Sequence, residues 1–422
     1  MLDRTVPPIL HEIPKIDWIK PEEIVINELT SSFWMSKGCN EAFKLDLELQ
    51  YGSIHDDVLV AKTAVGLLLS GTKNKTAAEI HQAIDLLGGF TALEVGAESA
   101  TLSLFGLVEH FDQLVDIWLD AILNAIYPEK ELVDYLQTKK QKFQVNEQKV
   151  ATLARRKFLT AIYTGTPFER VTTLKDFETV TREKLVNFHT NNILKSLSMV
   201  SAIGAITDQQ KSNFIKHIAP LVRLEKISAV ANFPETQAAS YHEIKDGAVQ
   251  SALRIGRTLF NRQHPDYSKF QFLNTILGGY FGSRLMTVLR EEKGFTYGVG
   301  SGLAQSLKGG YFFISTEVGA EHQEAAIAAI FEEIEKLQTT LCTQEEIAMV
   351  RNYNVGQLLQ GSDGPFAMMD RFLSVYRFGL DYSYYDQLLN TWQEITAEDI
   401  QFMAQKYLSA KNLVVVSAGS GN

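Results

Sequence analysis

Residues 181–204 read TREKLVNFHTNNILKSLSMVSAIG, and residues 396–419 read TAEDIQFMAQKYLSAKNLVVVSAG. The two stretches align without a gap. In each, a threonine with an acidic residue close behind it begins a helical pattern, and a short apolar run that ends in glycine follows. A threonine and a nearby carboxylate satisfy free N–H groups at the start of a helix, and the apolar run is typical of a buried strand. The repeat therefore predicts that one helix–turn–strand unit closes each half of the chain.

The repeat also predicts the domain organisation. We expect two homologous α+β domains, at residues 1–225 and 240–422, joined by a short ordered connector between Pro220 and Tyr241. Each domain is predicted to be a largely antiparallel sheet with helices packed on one face. Strand-like alternation and amphipathic helical spacing support this mixture, with strands predicted at 43–50 and 100–107 and helices at 111–126 and 323–337.

Composition excludes several classes of function. The 422 residues are 45% hydrophobic and 21% charged, which is typical of a water-soluble globular protein. A formal net charge of −10 argues against non-specific nucleic-acid binding, which relies on a basic surface. No run of about 18 apolar residues predicts a membrane span. The first residues lack the basic end and apolar run of a signal peptide, so we expect a cytoplasmic protein.

Two segments carry a resemblance to a known family. They are LLLSGTKNKTAAEIHQAIDLLGGFTALE at residues 67–94 and LGGYFGSRLMTVLREEKGFTYGVGSG at residues 277–302. Both are similar, in order and spacing, to the pitrilysin/insulinase-type metallopeptidases, which include the mitochondrial processing peptidase and its bacterial relatives. The resemblance implies the family's repeated LuxS/processing-peptidase-like domains and extends over nearly the whole chain.

The chain departs from this family at the zinc site. Catalytic members carry H-x-x-E-H just before the first segment; the two histidines bind zinc and the glutamate is the general base. The matching positions here are Lys62, Val65 and Gly66. The helix expected to carry the distal glutamate ligand, within residues 132–143, contains Asp134 but no glutamate. The resemblance thus implies no metal ligands and no cofactor in this chain, and zinc in a partner subunit.

Other zinc sites are not predicted from neighbouring residues. No two of the nine histidines are three to five residues apart, and the chain has only two cysteines. A local pair of zinc ligands therefore cannot form. We expect each histidine at the surface or as a supporting residue, and His189 on the surface of the helix in the first repeat unit.

The second segment supplies the positive hypothesis. In the family, an arginine and a tyrosine seven residues apart reach across to the zinc site of the other domain, and the matching residues are Arg290 and Tyr297. A guanidinium and a phenol can stabilise the negative charge that develops on a carbonyl oxygen during peptide hydrolysis. The local pattern predicts a helix from Phe281 to Lys293 and a strand from Phe295 onward, so Arg290 would end the helix and Tyr297 would begin the strand.

Ordinary structural roles remain open for both residues. Arg290 could form a surface ion pair with Glu291 or Glu292, worth a fraction of a kcal/mol. Tyr297 could be a core-facing aromatic residue of the strand. Arg284 is the nearest alternative to Arg290, but its position at a helix start favours a structural role.

Glycines alternate on one face of the same predicted strand, at Gly298, Gly300 and Gly302. Glycine inside a strand often marks close approach of another backbone. A peptide that adds to the sheet edge would need such access, so Gly298 and Gly300 are predicted to bind substrate. Tight packing of a helix on the sheet, or a bulge, explains the glycines equally well.

These features lead to one main hypothesis and one alternative. The chain is interpreted as the non-zinc subunit of a heterodimeric peptidase, inactive alone, which supplies Arg290 and Tyr297 to a homologous zinc-bearing partner. Its substrates would be peptides or unfolded segments. The alternative is a non-catalytic scaffold or peptide-binding protein of the same fold. An independent enzyme is disfavoured because no nucleophile elbow, P-loop or dinucleotide motif occurs in a suitable setting.

Overall fold

Two β-sheets organise the described chain, which comprises residues 15–39, 41–54, 57–225 and 233–421 of a computed structural model. The strands of the first sheet are β1 Glu22–Asn27, β2 Thr30–Met35, β3 Ala42–Leu49, β4 Phe90–Val95, β5 Ala100–Leu107 and β6 Leu197–Ile203. Those of the second are β7 Ala239–Ile244, β8 Gln250–Leu259, β9 Val299–Ser306, β10 Gly309–Gly319 and β11 Val414–Gly419. The strand orders are β1-β2-β6-β3-β5-β4 and β7-β11-β8-β10-β9.

Helices connect the strands in both halves. The first half contains α1 Val58–Gly66, α2 Ala77–Leu86, α3 Phe111–Leu123, α4 Glu129–Asn146, α5 Val150–Ile162, α6 Arg182–Asn191 and α7 Asp208–His217. The second contains α8 Tyr267–Asn274, α9 Gln323–Thr339, α10 Gln344–Gln360, α11 Gly364–Tyr376, α12 Ser383–Glu394 and α13 Ala397–Tyr407. Two further segments of the second half are π-helical, Thr275–Gly279 and Met286–Glu292. No helix of the described residues is long and apolar enough to cross a membrane.

The predicted helix–turn–strand unit is present twice. It consists of α6 and β6 in the first half and of α13 and β11 in the second, and Thr181 and Thr396 accept backbone hydrogen bonds at the two helix starts. β6 lies between parallel β2 and antiparallel β3, and β11 lies between parallel β7 and antiparallel β8. The predicted α+β fold with two largely antiparallel sheets is therefore confirmed. The division at residues 1–225 and 240–422 stays a prediction, and residues 226–232 of the connector lie outside the described chain.

Each sheet packs its main helical layer through alternate strand residues. In β3, Leu45 and Leu47 point into the first core, where they join Trp118 of α3. In the second core, Ile255 of β8 packs with Ile330 of α9. Every second residue of a strand faces the same side of the sheet, and every third or fourth residue of a helix faces the same side of the helix. Apolar residues at these positions therefore bury one face of each sheet against the helices.

One helix of the first half also packs on the opposite face of the second sheet. α5 places Ala154 and Phe158 against Ala252 of β8 and Val416 of β11. The fit is close, because a β-carbon at Gly256 would lie 3.0 Å from the Phe158 ring. The non-polar contact joins the two halves of the chain.

The second half makes the reciprocal contact. α11 places Met369 and Leu373 against Phe33 of β2 and Met199 of β6 in the first sheet. α5 and α11 hold matching places in the repeat, since each directly follows the long helix α4 or α10. The exchange of helices brings α5 over the second sheet, next to the candidate site described below.

His189 is not on the helix surface, contrary to the sequence-based expectation. It is buried, and its Nε2 lies 2.8 Å from the carbonyl oxygen of Ile122. The ring of Tyr127 lies edge-on at 5.7 Å between centroids. Burial lowers the pKa of His189, although the hydrogen bond to Ile122 opposes this shift. The sequence gives no sign of the burial because neither neighbour is close in the chain.

This burial predicts a pH-dependent stability. Because the pKa of His189 is lower in the folded state, the unfolded chain binds the proton more tightly. The stability that the neutral ring contributes to the fold is therefore lost as pH falls below the unfolded pKa of about 6.5. We expect His189→Gln to reduce the stability loss between neutral and mildly acidic pH by on the order of 1 kcal/mol. Denaturant unfolding as a function of pH measures it. His81→Gln, at an exposed position of α2, is the control and should keep the wild-type slope.

Candidate functional site

The three zinc-motif positions lie along α1. This helix begins after Asp57, whose carboxylate accepts a hydrogen bond from the Leu59 N–H. Lys62 carries a cationic amine, Val65 is buried in the first core, and Gly66 ends the helix without a side chain. Val65 and Gly66 thus offer no atom to a metal ion, and a protonated lysine repels one.

Tyr135 of α4 fills the space beside Gly66. A β-carbon at Gly66 would lie 2.2 Å from the Tyr135 Oη and 2.8 Å from its Cζ. Burial raises the pKa of Tyr135, which keeps the phenol neutral, and Lys139 Nζ lies 5.0 Å from the ring centroid. The nearby Asp134 pairs with Lys130 at 2.8 Å. These residues do not fit a zinc ion, and the described residues contain no other group of three or more His, Cys, Asp or Glu arranged for a metal.

Arg290 lies in the π-helical segment Met286–Glu292 near the edge of the second sheet. The chain reverses after this segment at Gly294, whose φ of +63° is in the left-handed region that favours glycine and is typical of a helix end. Arg284, at the start of the helix, donates two hydrogen bonds of 2.8 Å to the carboxylate of Glu346. The structural role expected for Arg284 is therefore confirmed.

The Arg290 guanidinium contacts an aromatic ring rather than a carboxylate. Its Cζ lies 4.7 Å from the ring centroid of Phe281, a side chain that is itself 64% exposed. Of the carboxylates that the structure describes, none lies within 4.0 Å of this guanidinium. The surface ion pair with Glu291 or Glu292 is therefore absent here, and the donors of Arg290 remain open to an acceptor from outside the chain.

Tyr297 lies in the loop before β9 rather than in the strand. The predicted strand from Phe295 is wrong in its first residues, because β9 begins at Val299. The Thr296 hydroxyl accepts a hydrogen bond from the Gly298 N–H at 3.0 Å and holds the loop in a local turn. The Tyr297 side chain is 93% exposed, which contradicts the alternative of a core-facing aromatic residue.

A cavity of about 360 Å³ adjoins this loop. One wall consists of Thr296, Tyr297 and Gly298, and another consists of Ala151 and Ala154 of α5. The exchanged helix therefore forms part of the site, so both halves of the chain contribute to this cavity.

The glycines of the loop and of β9 lie in different surroundings. A β-carbon at Gly298 would meet no atom within 4 Å, and one at Gly300 would only reach an oxygen at 3.7 Å. At Gly302 it would lie 2.9 Å from the Phe313 ring. β9 is the edge strand of the second sheet, and no described strand pairs with its outer side, although the Val299 N–H donates to Met286 Sδ at 3.4 Å. Tight packing thus accounts for Gly302 but not for Gly298 or Gly300.

Sequence reasoning missed three residues of this region: Tyr135, Phe281 and Arg254. Tyr135 lies on α4, the helix expected to carry the distal glutamate ligand of zinc. The sequence suggests its role only when the missing side chain of Gly66 is considered as well, because the tyrosine fills that space. Arg254 also lines the cavity, and an arginine inside the strand pattern QSALRIGRTL at 250–259 could have marked it. Phe281 has no such signal, because its contact with Arg290 depends on the turn of the π-helical segment.

Comparison with known proteins gives one family match and a set of distant relatives. Residues 179–354 match the family described as Peptidase M16 inactive domain. This match agrees with the resemblance to the pitrilysin/insulinase-type peptidases that the sequence segments indicate. An uncharacterized zinc protease of Rickettsia felis is 24% identical over 350 residues, which cover 82% of this chain and 84% of that protein.

Solved structures share the M16 fold with this chain. A peptidase M16 inactive domain from Pseudomonas fluorescens superposes with a TM-score of 0.87 at 22% identity, covering 96% of this chain and 99% of that one. A protease from Helicobacter pylori superposes with a TM-score of 0.83 at 16% identity, covering 96% and 100%. The chain thus has the fold of these structures, and its own zinc-motif positions carry no zinc ligands.

Proposed function

We propose that this chain is the non-zinc subunit of a heterodimeric M16 peptidase. A homologous partner would hold zinc with its own H-x-x-E-H motif, and this chain would supply Arg290 and Tyr297 to the shared site. The observation that carries the proposal is the 93% exposure of Tyr297, a phenol that contributes little to the fold where it stands. An exposed phenol and, in the segment before it, a guanidinium without a carboxylate partner are each suited to bind a group from outside the chain.

The chemistry assigned to the pair is stabilisation of charge. When a water molecule attacks a peptide carbonyl, its oxygen becomes negatively charged, and hydrogen-bond donors fixed beside that oxygen lower the barrier. Arg290 supplies guanidinium N–H groups and Tyr297 supplies a hydroxyl. The contact of Arg290 with Phe281 restricts the guanidinium before substrate arrives, which reduces the entropy lost in the transition state.

Peptides and unfolded segments are the proposed substrates. The open edge of β9 can pair with an extended peptide through main-chain hydrogen bonds, and the absence of side chains at Gly298 and Gly300 leaves room for its backbone. Such a peptide would run past Tyr297, because that residue precedes the strand directly. The same edge also favours the second candidate function, a peptide-binding protein or scaffold without chemistry.

Co-purification followed by reconstitution tests the proposal. The tagged chain is isolated from its native lysate, bound polypeptides are identified by mass spectrometry, and the pair is then made recombinantly. We expect a stoichiometric partner with H-x-x-E-H, zinc in the pair, and hydrolysis of a quenched fluorescent peptide by the pair but by neither chain alone. A chain that recovers only itself, or a pair without hydrolysis, contradicts the peptidase proposal and favours the peptide-binding candidate.

A further inference from the structure

The cavity beside Tyr297 lies on the face of the second sheet that α5 covers. In this sheet Arg254 of β8 is paired with Ser315 of β10, and Ser315 is paired with Gly300 of β9. Directly opposite residues of neighbouring strands share a face. Ala252, two residues before Arg254, packs against α5, so this row of three residues faces the same helix. The cavity is therefore a space between one helix of the first half and one sheet face of the second.

Small residues keep this space open. Ala151 and Ala154 of α5 line it on one side, and Gly298 and Ser315 line it on the other. A β-carbon at Gly298 would meet no atom within 4 Å, and Gly300 likewise has no side chain that could fill the space. At these two glycines no side chain separates the cavity from the edge of the sheet. A peptide bound along β9 can therefore extend one of its groups over the glycines into the cavity.

Arg254 lines this cavity and is held in place by two aromatic rings. Its Cζ lies 4.3 Å from the ring centroid of Phe313 and 5.7 Å from that of Phe158. Phe313 belongs to β10 and Phe158 to α5, so the guanidinium lies between the sheet and the helix. A side chain that is already restricted loses less entropy when it binds a ligand.

No carboxylate of the described residues pairs with this guanidinium. None lies within 4.0 Å of it, and the Arg254 Nε is buried without an acceptor among those residues. The Tyr311 phenol also interacts with the guanidinium, but it is not a carboxylate. Glu317 lines the same cavity, where it is exposed and lies beyond ion-pair distance. Because a partly buried charge without a counter-charge is costly, Arg254 is suited to bind an anion that enters the cavity.

From this arrangement we infer that the cavity is a binding site for a carboxylate of the peptide, with Arg254 as the group that binds it. A guanidinium presents a planar fork of donors, and a carboxylate accepts two parallel hydrogen bonds from such a fork. The carboxylate belongs either to an acidic side chain or to the C-terminus of the peptide. This inference rests on the proposed function, since it specifies which peptides the chain binds and where their carboxylate lies relative to Tyr297.

Peptide binding by the full-length chain tests the inference. Pairs of fluorescently labelled peptides of one parent sequence are compared by anisotropy. The first pair has a free C-terminal carboxylate or a C-terminal amide, and the other pairs are amidated and carry Glu or Gln at one internal position in turn. We expect a carboxylate to raise affinity about ten-fold within at least one pair, and this preference to shrink as ionic strength rises. The pair that shows the preference tells the C-terminus from an acidic side chain.

Variants of the cavity assign the preference to Arg254. Arg254→Met keeps a long side chain against the rings and should remove the preference, with binding of the amide peptide unchanged. Glu317→Gln removes a like charge from the cavity and should raise affinity for the carboxylate peptide about two- to five-fold. Lys157→Gln is the control on α5 and should keep the preference, because that ammonium lies 3.5 Å from the Glu243 carboxylate. Thermal unfolding of each variant checks that the fold is retained.

Failure of this inference can be distinguished from failure of the proposed function. Equal affinity within every pair, or a preference that survives in Arg254→Met, overturns the carboxylate site while peptide binding stands. If Arg254→Met does not fold, the exposed position of Glu317 decides, since no gain in affinity from Glu317→Gln contradicts the site. If no peptide binds the chain at all, the peptide-binding role fails and the carboxylate site fails with it.

Discussion

Tyr297→Phe is expected to lower kcat of the assembled peptidase by about 10²- to 10³-fold, with KM changed far less. The substitution removes one hydroxyl and keeps the ring, so substrate contacts with the ring persist. A donor that acts on the charge of the transition state affects kcat because that charge is absent from the bound substrate. Steady-state kinetics of the reconstituted pair on a quenched fluorescent peptide measure both constants.

The same substitution is expected to leave the fold unchanged. Because Tyr297 is 93% exposed, its hydroxyl stabilises no buried contact of the described chain. The matched control is Tyr241→Phe on β7, at the opposite edge of the second sheet, which removes a hydroxyl in the same way. Equal melting temperatures for the two variants, with kcat reduced only in Tyr297→Phe, would separate a role in the reaction from a role in folding.

Variants of Arg290 refine the test. Arg290→Ala removes both the charge and the contact with Phe281, whereas Arg290→Lys keeps the charge and loses the planar fork. We expect the lysine variant to recover part of the kcat that the alanine variant loses. If Arg290→Ala and Tyr297→Phe both leave kcat of the pair at the wild-type value, the two residues are not part of the shared site.

The sequence predicted those features of the fold that repeat. A gap-free match between residues 181–204 and 396–419 reflects two copies of one topology, and the order of strands around β6 and β11 follows from it. The exchange of α5 and α11 could not be predicted in this way. An amphipathic helix shows in its sequence which side is apolar, but the sheet that it covers depends on tertiary contacts.

The sequence indicated which residues belong to the candidate site, but it did not indicate how they are arranged in space. The family resemblance of residues 277–302 singled out Arg290 and Tyr297, but the turn formed by the Thr296 hydroxyl places Tyr297 outside the strand. The contact between Gly66 and Tyr135 joins α1 to α4 across 69 residues of sequence, so periodicity within either helix does not contain it. Sequence patterns within single helices and strands did not predict the contacts between them.

Restoring the zinc motif by Lys62→His, Val65→Glu and Gly66→His is expected to destabilise the chain by on the order of 3 to 5 kcal/mol without creating a tight zinc site. Val65 is only 1% exposed, so a glutamate there would place a carboxylate in the first core. The new histidine at position 66 would collide with Tyr135. Denaturant unfolding gives the stability, and metal analysis after dialysis gives the zinc content; stoichiometric zinc in a stably folded triple variant would contradict this account of the site.

The collision itself can be isolated with smaller changes. Gly66→Ala is expected to destabilise the wild-type chain by about 1 to 3 kcal/mol, because the added β-carbon would lie 2.2 Å from the Tyr135 Oη and the ring must move. In a Tyr135→Ala background that obstacle is gone, and alanine is the better helix former by up to about 1 kcal/mol. The effect of Gly66→Ala should therefore change sign between the two backgrounds. A double-mutant cycle in unfolding free energy measures this coupling. A change of sign would mean that Gly66 and Tyr135 are adapted to each other. The loss of the zinc-ligand side chain at position 66 and the filling of its space by Tyr135 would then be one structural change.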